Sequence, residues 1–473
     1  MENSMAVAEA DAASADAGAG SSWSGRRRSL RAYAVAGCVV VGGVLLLTQH
    51  PKSAPRPAAS PGPAGRAVIA ASAGAPASLS DLTALIRERE AQVQENPGND
   101  RTWAALGAAY VERGTRTADS AFYPKAERAL RGSLAARPHG NVDALDGLAA
   151  LAAARGDWST ARKWGAASVG LAPNRWRAYA VLVDAYRGLG DYAAAGKSLD
   201  KLSGLTTGTA VTLRTAAVYR DRGWREDAAA VLSDAAARAA TPTERAALLS
   251  SGGDLAWERG EPQDALRRFR AASTADPHYP AALAGQARAL ASLGRTDEAV
   301  RAYRRALAEH PSPEYALELG ELYEAQGLAG PAGTQYDALR TWAAARGANG
   351  VDDALILGRF EADHGDARAA VVRLRAEWDR APNLRTADAL GWALHRDGRD
   401  GEAIELLRRT TDRQKDGTVR DALFSYHRGS VERALGLPAP ARRHLDEALR
   451  INPEFSPLFA PRARQELATV TRR

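Results

Sequence analysis

One glycine-rich segment has the residue types of a phosphate-binding loop. It begins at Gly190 and ends in Gly196, Lys197 and Ser198, whose backbone N–H groups, ammonium and hydroxyl could hold phosphate and Mg²⁺. The phosphate-binding motif has a shorter spacing than the five residues that separate Gly190 from Gly196, and no strand pattern precedes this segment. We therefore predict no nucleotide site.

Side chains that bind metals or act as nucleophiles are scattered along the chain. The eight histidines show no HExxH spacing, and the single cysteine, Cys38, excludes a disulfide or a cysteine-based zinc site within one chain. Several histidines stand beside prolines, which favours exposed turns. No GxSxG elbow is present. We therefore expect no catalytic residue, no cofactor and no metal site, and a protein that is not an enzyme.

The charge balance argues against nucleic acid as a partner. The chain has 63 Lys and Arg against 56 Asp and Glu, a formal charge of +7. Lys52, Arg56 and Arg66 contribute +3 within residues 32–78, which contain no acid. The remaining excess is too small for a phosphate-tracking surface. Only six basic residues are lysines, a usage typical of GC-rich actinobacterial genomes.

The N-terminal part of the chain divides into three segments by composition. Residues 1–31, rich in Ala, Ser, Gly and acid, predict a disordered cytoplasmic tail. Residues 32–50 contain an uncharged run of 17 residues, which as a helix would span about 26 Å and predicts a transmembrane helix. Residues 51–78, rich in Pro and Ala, predict an extended linker without helix.

Charge on either side of the apolar run predicts its orientation. Arg26, Arg27, Arg28 and Arg31 precede it, so we expect a cytoplasmic N-terminus, with residues 51–473 outside the cytoplasm. A cleaved secretory signal, which would release the downstream domain, and a buried or peripheral segment are the alternatives.

From residue 79 onward the sequence repeats itself with a period of 34 residues. Gly260, Ala265, Phe269, Ala272 and Pro277 recur as Gly294, Ala299, Tyr303, Ala306 and Pro311. An earlier unit carries Trp103, Leu106, Gly107 and Tyr110 in order. These residues resemble the tetratricopeptide repeat family, whose first helix carries W-x2-L-G-x2-Y and whose second carries Ala, an aromatic or Leu, Ala and Pro.

The resemblance implies an all-α, right-handed superhelical solenoid of about ten helix-turn-helix repeats over residues 79–473. The first helices are predicted to begin near Arg101, Asp143, Arg177, Ala210, Ala247, Ala281, Glu314, Asp352, Arg385 and Ala422. Leu79–Gln94 and Phe455–Val470 are the predicted capping helices. The Gly or Ala beside each Leu of a first helix, and the Ala that opens each second helix, predict close helix packing.

One face of the first helices is predicted to line the concave surface and to bind a protein or peptide partner. The candidate partner-binding residues are Asp254, Trp257, Arg288, Glu321, Glu324, Arg359, Asp388, Trp392, His395, Tyr426 and Arg433. Trp257, Trp392 and Tyr426 stand out because aromatic side chains are enriched at binding hot spots. The alternative is that these rings fill the inner wall of a tightly wound superhelix. Residues 122–124 (Phe-Tyr-Pro) are a separate candidate.

These features predict a membrane-tethered, noncatalytic scaffold or adaptor that binds its partner outside the cytoplasm. A cleaved, exported chaperone or assembly factor and a regulatory subunit of an envelope enzyme are the alternatives. Some members of the family use Lys and Asn side chains to clamp a chaperone's C-terminal carboxylate. The predicted groove lacks both residue types at those positions, so the resemblance does not imply that partner.

Overall fold

The computed structural model describes residues 60–412 and 419–471. The tail at residues 1–31 and the apolar run at residues 32–50 lie outside these ranges. Within the described part of the chain, none of the helices is both long and apolar enough to span a bilayer.

All regular structure in the described residues is helical. The helices are α1 (Pro63–Ser72), α2 (Leu79–Glu95), α3 (Asp100–Thr117), α4 (Phe122–Ala136), α5 (Val142–Ala154), α6 (Trp158–Leu171), α7 (Trp176–Gly188), α8 (Tyr192–Leu205), α9 (Thr209–Asp221), α10 (Arg225–Arg238), α11 (Pro242–Glu258), α12 (Pro262–Ala275), α13 (Pro280–Ser292), α14 (Thr296–Glu309), α15 (Pro313–Ala325), α16 (Ala329–Ala348), α17 (Ala354–His364), α18 (Ala367–Arg380), α19 (Leu384–Arg396), α20 (Asp400–Thr411), α21 (Ala422–Ala434), α22 (Pro438–Ile451) and α23 (Phe459–Thr471).

Ten helix pairs follow one another from α3 to α22, in agreement with the predicted number of repeats. The first helix of each pair has an odd number and the second an even number. First helices begin within two residues of the predicted positions, with α11 as the exception. This helix begins at Pro242 rather than near Ala247, because the Thr241 hydroxyl accepts the Glu244 N–H and caps the earlier start. Helices α2 and α23 flank the pairs, as predicted for capping helices.

Helix α1 corrects the prediction of an extended linker over residues 51–78. Pro63 stands at the first position of this helix, where the missing N–H costs nothing. Arg66 donates to Asp81 of α2 at 2.6 Å, and Ala67 is fully buried. Packing against α2 therefore stabilises a helix in a segment whose composition predicts an extended chain.

Small residues allow neighbouring helices to approach each other. A Cβ on Gly358 of α17 would lie 2.4 Å from the Leu374 side chain of α18. A Cβ on Gly285 of α13 would lie 2.2 Å from the Phe269 ring of the preceding pair. Ala299, near the start of α14, is fully buried. The predicted role of small residues in helix packing is therefore confirmed at Gly358 and Ala299, and Gly285 is a further close approach that was not predicted.

Ala299→Leu is expected to lower the free energy of unfolding by about 1–3 kcal/mol, because the added methylene groups overpack a position with no exposed surface. Ala308→Leu, at an exposed position of the same helix, is the control and should change that energy by less than about 0.5 kcal/mol. Urea denaturation followed by circular dichroism compares the two variants. Equal unfolding midpoints would contradict the packing described for α14.

Successive turns of the superhelix touch each other. The Asn383 amide, in the loop before α19, donates to the Gly188 carbonyl at the end of α7 at 2.9 Å. The Asn452 amide, after α22, donates to the Trp257 carbonyl near the end of α11 at 2.7 Å. In both contacts the partners are 195 residues apart, a separation of five and a half helix pairs. The solenoid therefore completes one superhelical turn in roughly that number of pairs.

From this winding we infer a narrow axial channel. Packed helices have axes roughly 8–10 Å apart, so five to six first helices form a ring with a radius of roughly 7–10 Å. A helix with its side chains has a radius of about 5 Å. The channel is therefore less than about 10 Å wide, which excludes a folded helix as its occupant.

Candidate binding surface

Polar side chains join consecutive first helices from α7 to α21 along the inner side of the solenoid. The Arg288 guanidinium of α13 lies 3.0 Å from Asp254 of α11 and 2.8 Å from Glu318 of α15. Further ion pairs between consecutive first helices are Asp184–Arg214, Arg187–Asp221, Arg220–Glu258 and Asp363–Arg396, and the His427 imidazole is hydrogen-bonded to Asp388. We call these pairs the inner ladder. Because its members are paired, most of their charge is already compensated within the solenoid.

Most of the predicted partner-binding residues contact a neighbouring repeat. Three of them, Asp254, Arg288 and Asp388, are members of the inner ladder. Glu324 of α15 lies 3.0 Å from His364 Nδ1 of α17.

Two further predicted residues have the same kind of contact. Glu321 lies 3.8 Å from His364 Nε2, and the Trp257 indole N–H donates to Ser292 Oγ of α13 at 2.9 Å. The face of the first helices that carries the predicted residues therefore makes contacts between repeats as well as offering a surface to a partner.

The Asp254 carboxyl shows how enclosed the inner side is. Its side chain is 42% exposed. Desolvation by the surrounding protein, together with the charges of Glu258 and Glu318, nevertheless raises its pKa to about 6 in spite of Arg288. Burial also raises the pKa of Glu321. Carboxyl groups that touch water and are still poorly solvated fit a narrow channel.

Trp392 and Tyr426 lie inside an aromatic cluster. Trp392 is 5% exposed and Tyr426 is 1% exposed. The Trp392 indole stacks on His427 with ring centroids 4.1 Å apart, and its N–H donates to Asp363 at 3.0 Å. Tyr426 stacks on Phe459 at 5.5 Å. These contacts support the alternative prediction, that the rings fill the inner wall.

The segment at residues 122–124 is also engaged in packing. Tyr123 is buried. The Phe122 ring is covered by the Arg113 guanidinium at 5.4 Å and the Lys125 ammonium at 5.2 Å. This segment therefore offers little free aromatic surface to a partner.

Several charged side chains of the first helices α15 to α21 stay accessible, and four of them belong to the predicted binding face or stand next to it in sequence. Arg359 is exposed and has no ion-pair partner among the described residues. Glu324, Arg396 and Arg433 are paired, and their side chains are 37%, 39% and 43% exposed. We call these four residues the open patch. The predicted residue His395 is more enclosed, with Nδ1 2.5 Å from Asp400.

Arg396 was not among the predicted binding residues. The predicted binding face includes its neighbour His395 instead. The sequence feature that could have identified Arg396 is Asp363, which lies about one repeat earlier, has the opposite charge and pairs with it.

Comparisons with known proteins identify the repeats in two segments. Family models described as tetratricopeptide repeat match residues 256–322 and residues 386–418. No curated protein matches the chain.

Several solved structures are similar to this chain. The human IFIT1 dimer with PPP-AAAA is 17% identical, with 66% of this chain and 72% of that chain covered and a TM-score of 0.46. The APC/C hetero-tetramer Cut9-Hcn1 is 16% identical, with 82% of each chain covered and a TM-score of 0.41. Yeast Tom70 is 12% identical, with 77% and 95% covered and a TM-score of 0.34.

Proposed function

We propose that this protein, a helical-repeat protein that carries tetratricopeptide repeats, is a noncatalytic scaffold or adaptor. It holds an extended segment of a protein or peptide partner at the open patch. The observation that carries this proposal is the accessibility of the Glu324, Arg359, Arg396 and Arg433 side chains, of which Arg359 is not in an ion pair with any described residue. Each described helix belongs to a repeat or flanks the repeats, which leaves no separate catalytic domain among the described residues.

The dimensions of the channel limit the form of the partner. An extended chain is thinner than a helix, and only the extended chain fits a channel less than about 10 Å wide. The open patch combines one carboxylate with three guanidinium groups, so the matching segment carries both charges, with acidic residues in excess.

The double variant Arg359→Ala/Arg433→Ala is expected to weaken partner capture about tenfold, because it removes two accessible charges that a bound segment would contact. Both side chains are exposed, so the helical signal and the melting temperature should change little. Arg442→Ala, at an exposed position of α22, is the matched control. Capture with full affinity by the double variant would remove the open patch as the binding surface.

We also propose that residues 32–50 anchor the protein in a cell membrane, with the N-terminus in the cytoplasm and the solenoid outside. The support is the uncharged run of 17 residues and the four arginines before it. Cleavage after export would instead release a chaperone or assembly factor. Gel mobility and N-terminal sequencing of the mature protein separate these two cases. Stoichiometric copurification with an envelope enzyme would favour a regulatory subunit.

A reporter that is active only outside the cytoplasm, fused after Arg473, is expected to be active, because the arginines retain the N-terminal side of the apolar run in the cytoplasm. A cytoplasmic reporter at the same point is the control and should be silent. The opposite pattern would contradict the proposed topology.

A further inference from the structure

A cavity of about 310 Å³ lies where two turns of the superhelix meet. One wall comes from the end of α3 and the start of α4, which contribute Ser120 and Tyr123. The opposite wall comes from the α14–α15 loop and α15, which contribute His310, Glu314 and Tyr315. The volume is about ten times that of a water molecule in the liquid, roughly 30 Å³, so the cavity has room for a small organic molecule.

The cavity has more negative than positive charge in its immediate surroundings. Arg346 lines it and is shared by two carboxylates, Asp353 at 2.9 Å and Glu314 at 3.8 Å. The Asp353 side chain is only 5% exposed, and its Oδ2 has no hydrogen-bond partner within the described chain. Burial, with the nearby charges of Glu314 and Asp352, raises the Asp353 pKa to about 6, so this carboxyl is ionised at neutral pH. One negative charge is therefore left without a compensating guanidinium.

His310 is a neutral member of the same wall. Burial lowers its pKa to about 4, and its Nδ1 has no hydrogen-bond partner among the described residues. Its position beside a proline predicted an exposed turn, which holds for His139 and His278 but is wrong for His310. The uncompensated charge of this cavity is therefore not balanced by a protonated imidazole at neutral pH.

We propose that this cavity binds a small organic cation that carries a primary ammonium group. The Glu314 side chain is 46% exposed and accepts the ammonium N–H donors, while the Tyr123 and Tyr315 rings contribute favourable contacts with the positive charge. An anion is disfavoured because Arg346 is already paired with both carboxylates. None of the four open-patch residues lines this cavity, and the site goes beyond the proposed scaffold function. A ligand held there contacts both superhelical turns at once.

The probe is Tris, measured by isothermal titration calorimetry on the full chain near neutral pH. Its neutral counterpart is pentaerythritol, in which a CH₂OH group replaces the ammonium of the same branched triol. We expect saturable binding of Tris and binding of pentaerythritol weaker by about tenfold or more, because only Tris brings the positive charge.

Glu314→Gln and Asp353→Asn are each expected to weaken Tris binding about tenfold, since each removes one negative charge with little change in volume. Because Asp353 also pairs with Arg346, the melting temperature of Asp353→Asn is measured first, and Glu314→Gln, whose side chain is 46% exposed, provides the test that does not depend on this buried pair. Asp337→Asn, on an exposed part of α16, is the control variant and should bind Tris like the parent protein. The proposal is overturned by absence of Tris binding, by equal binding of the two probes, or by unchanged binding in both variants.

Discussion

Trp392→Ala is expected to lower the free energy of unfolding by about 3–5 kcal/mol. The indole is 5% exposed and stacks on His427, and Phe459 packs edge-on at 5.9 Å. Removing the ring leaves a cavity among these aromatic side chains. It also deprives the Asp363 carboxylate of its indole N–H donor. Because repeats are coupled mainly to their neighbours, the C-terminal pairs should unfold first.

Chemical denaturation followed by tryptophan fluorescence and circular dichroism measures this effect. Trp224→Ala is the control, because the same change is made at a side chain that is 44% exposed. It should cost less than about 1.5 kcal/mol. A loss at Trp392 no larger than that at Trp224 would contradict the burial of the aromatic cluster.

Gly190→Ala is expected to lower the free energy of unfolding by about 2–5 kcal/mol, or to open the contact between superhelical turns. Two causes add at this position. Gly190 has φ of 73°, in the left-handed region that disfavours a side chain. A Cβ there would also lie 2.4 Å from the Pro382 carbonyl oxygen of the next superhelical turn.

Gly398→Ala separates these causes. Gly398 has φ of 76°, but a Cβ on it would meet nothing within 4 Å. Backbone strain alone should cost about 1–2 kcal/mol there. Denaturation curves give the energies, and small-angle X-ray scattering gives any increase in the radius of gyration. Equal effects of the two substitutions would show that the superhelical turns are apart in solution.

The local features of the solenoid could be predicted from the sequence. The 34-residue period placed nine of ten first helices within two residues, because the Gly and Pro positions mark where helices end. The small residues were also predicted, since their role depends on contacts between sequence neighbours. Gly358, beside Leu357 and against the Leu374 side chain, is an example. The start of α11 was missed because the Thr241 cap and Pro242 were not included in the repeat alignment.

The winding of the superhelix could not be predicted in the same way. Small differences in the angle between helix pairs accumulate over five and a half pairs. No local sequence pattern therefore predicts whether two superhelical turns are in contact. Residues 172–174 and 381–383 both read Ala-Pro-Asn. Asn174 is exposed, whereas Asn383 bonds to the Gly188 carbonyl of the preceding superhelical turn.

The winding also explains why part of the predicted binding face is covered by the protein itself. In a wide superhelix, aromatic side chains on the inner face of the first helices would be free to contact a partner. In this narrow one, Trp392 and Tyr426 pack against α23, and most charges form the inner ladder. Such partly exposed ion pairs typically add only about 0–1 kcal/mol each. Their larger effect is to occupy many of the charged side chains on this face, whereas Arg359 is exposed and is not in an ion pair with any described residue.

Photo-crosslinking from the open patch directly tests the proposal that a partner polypeptide binds there. A photoreactive amino acid is placed at position 359 on α17 and, as a control, at position 372 on α18, where Val372 is 69% exposed. In cells that produce the full chain, we expect an adduct with a partner polypeptide from position 359 and none from position 372. The adduct should weaken when Arg433→Ala is added. An adduct from position 372 alone, or none from position 359, would contradict binding of a partner at the open patch.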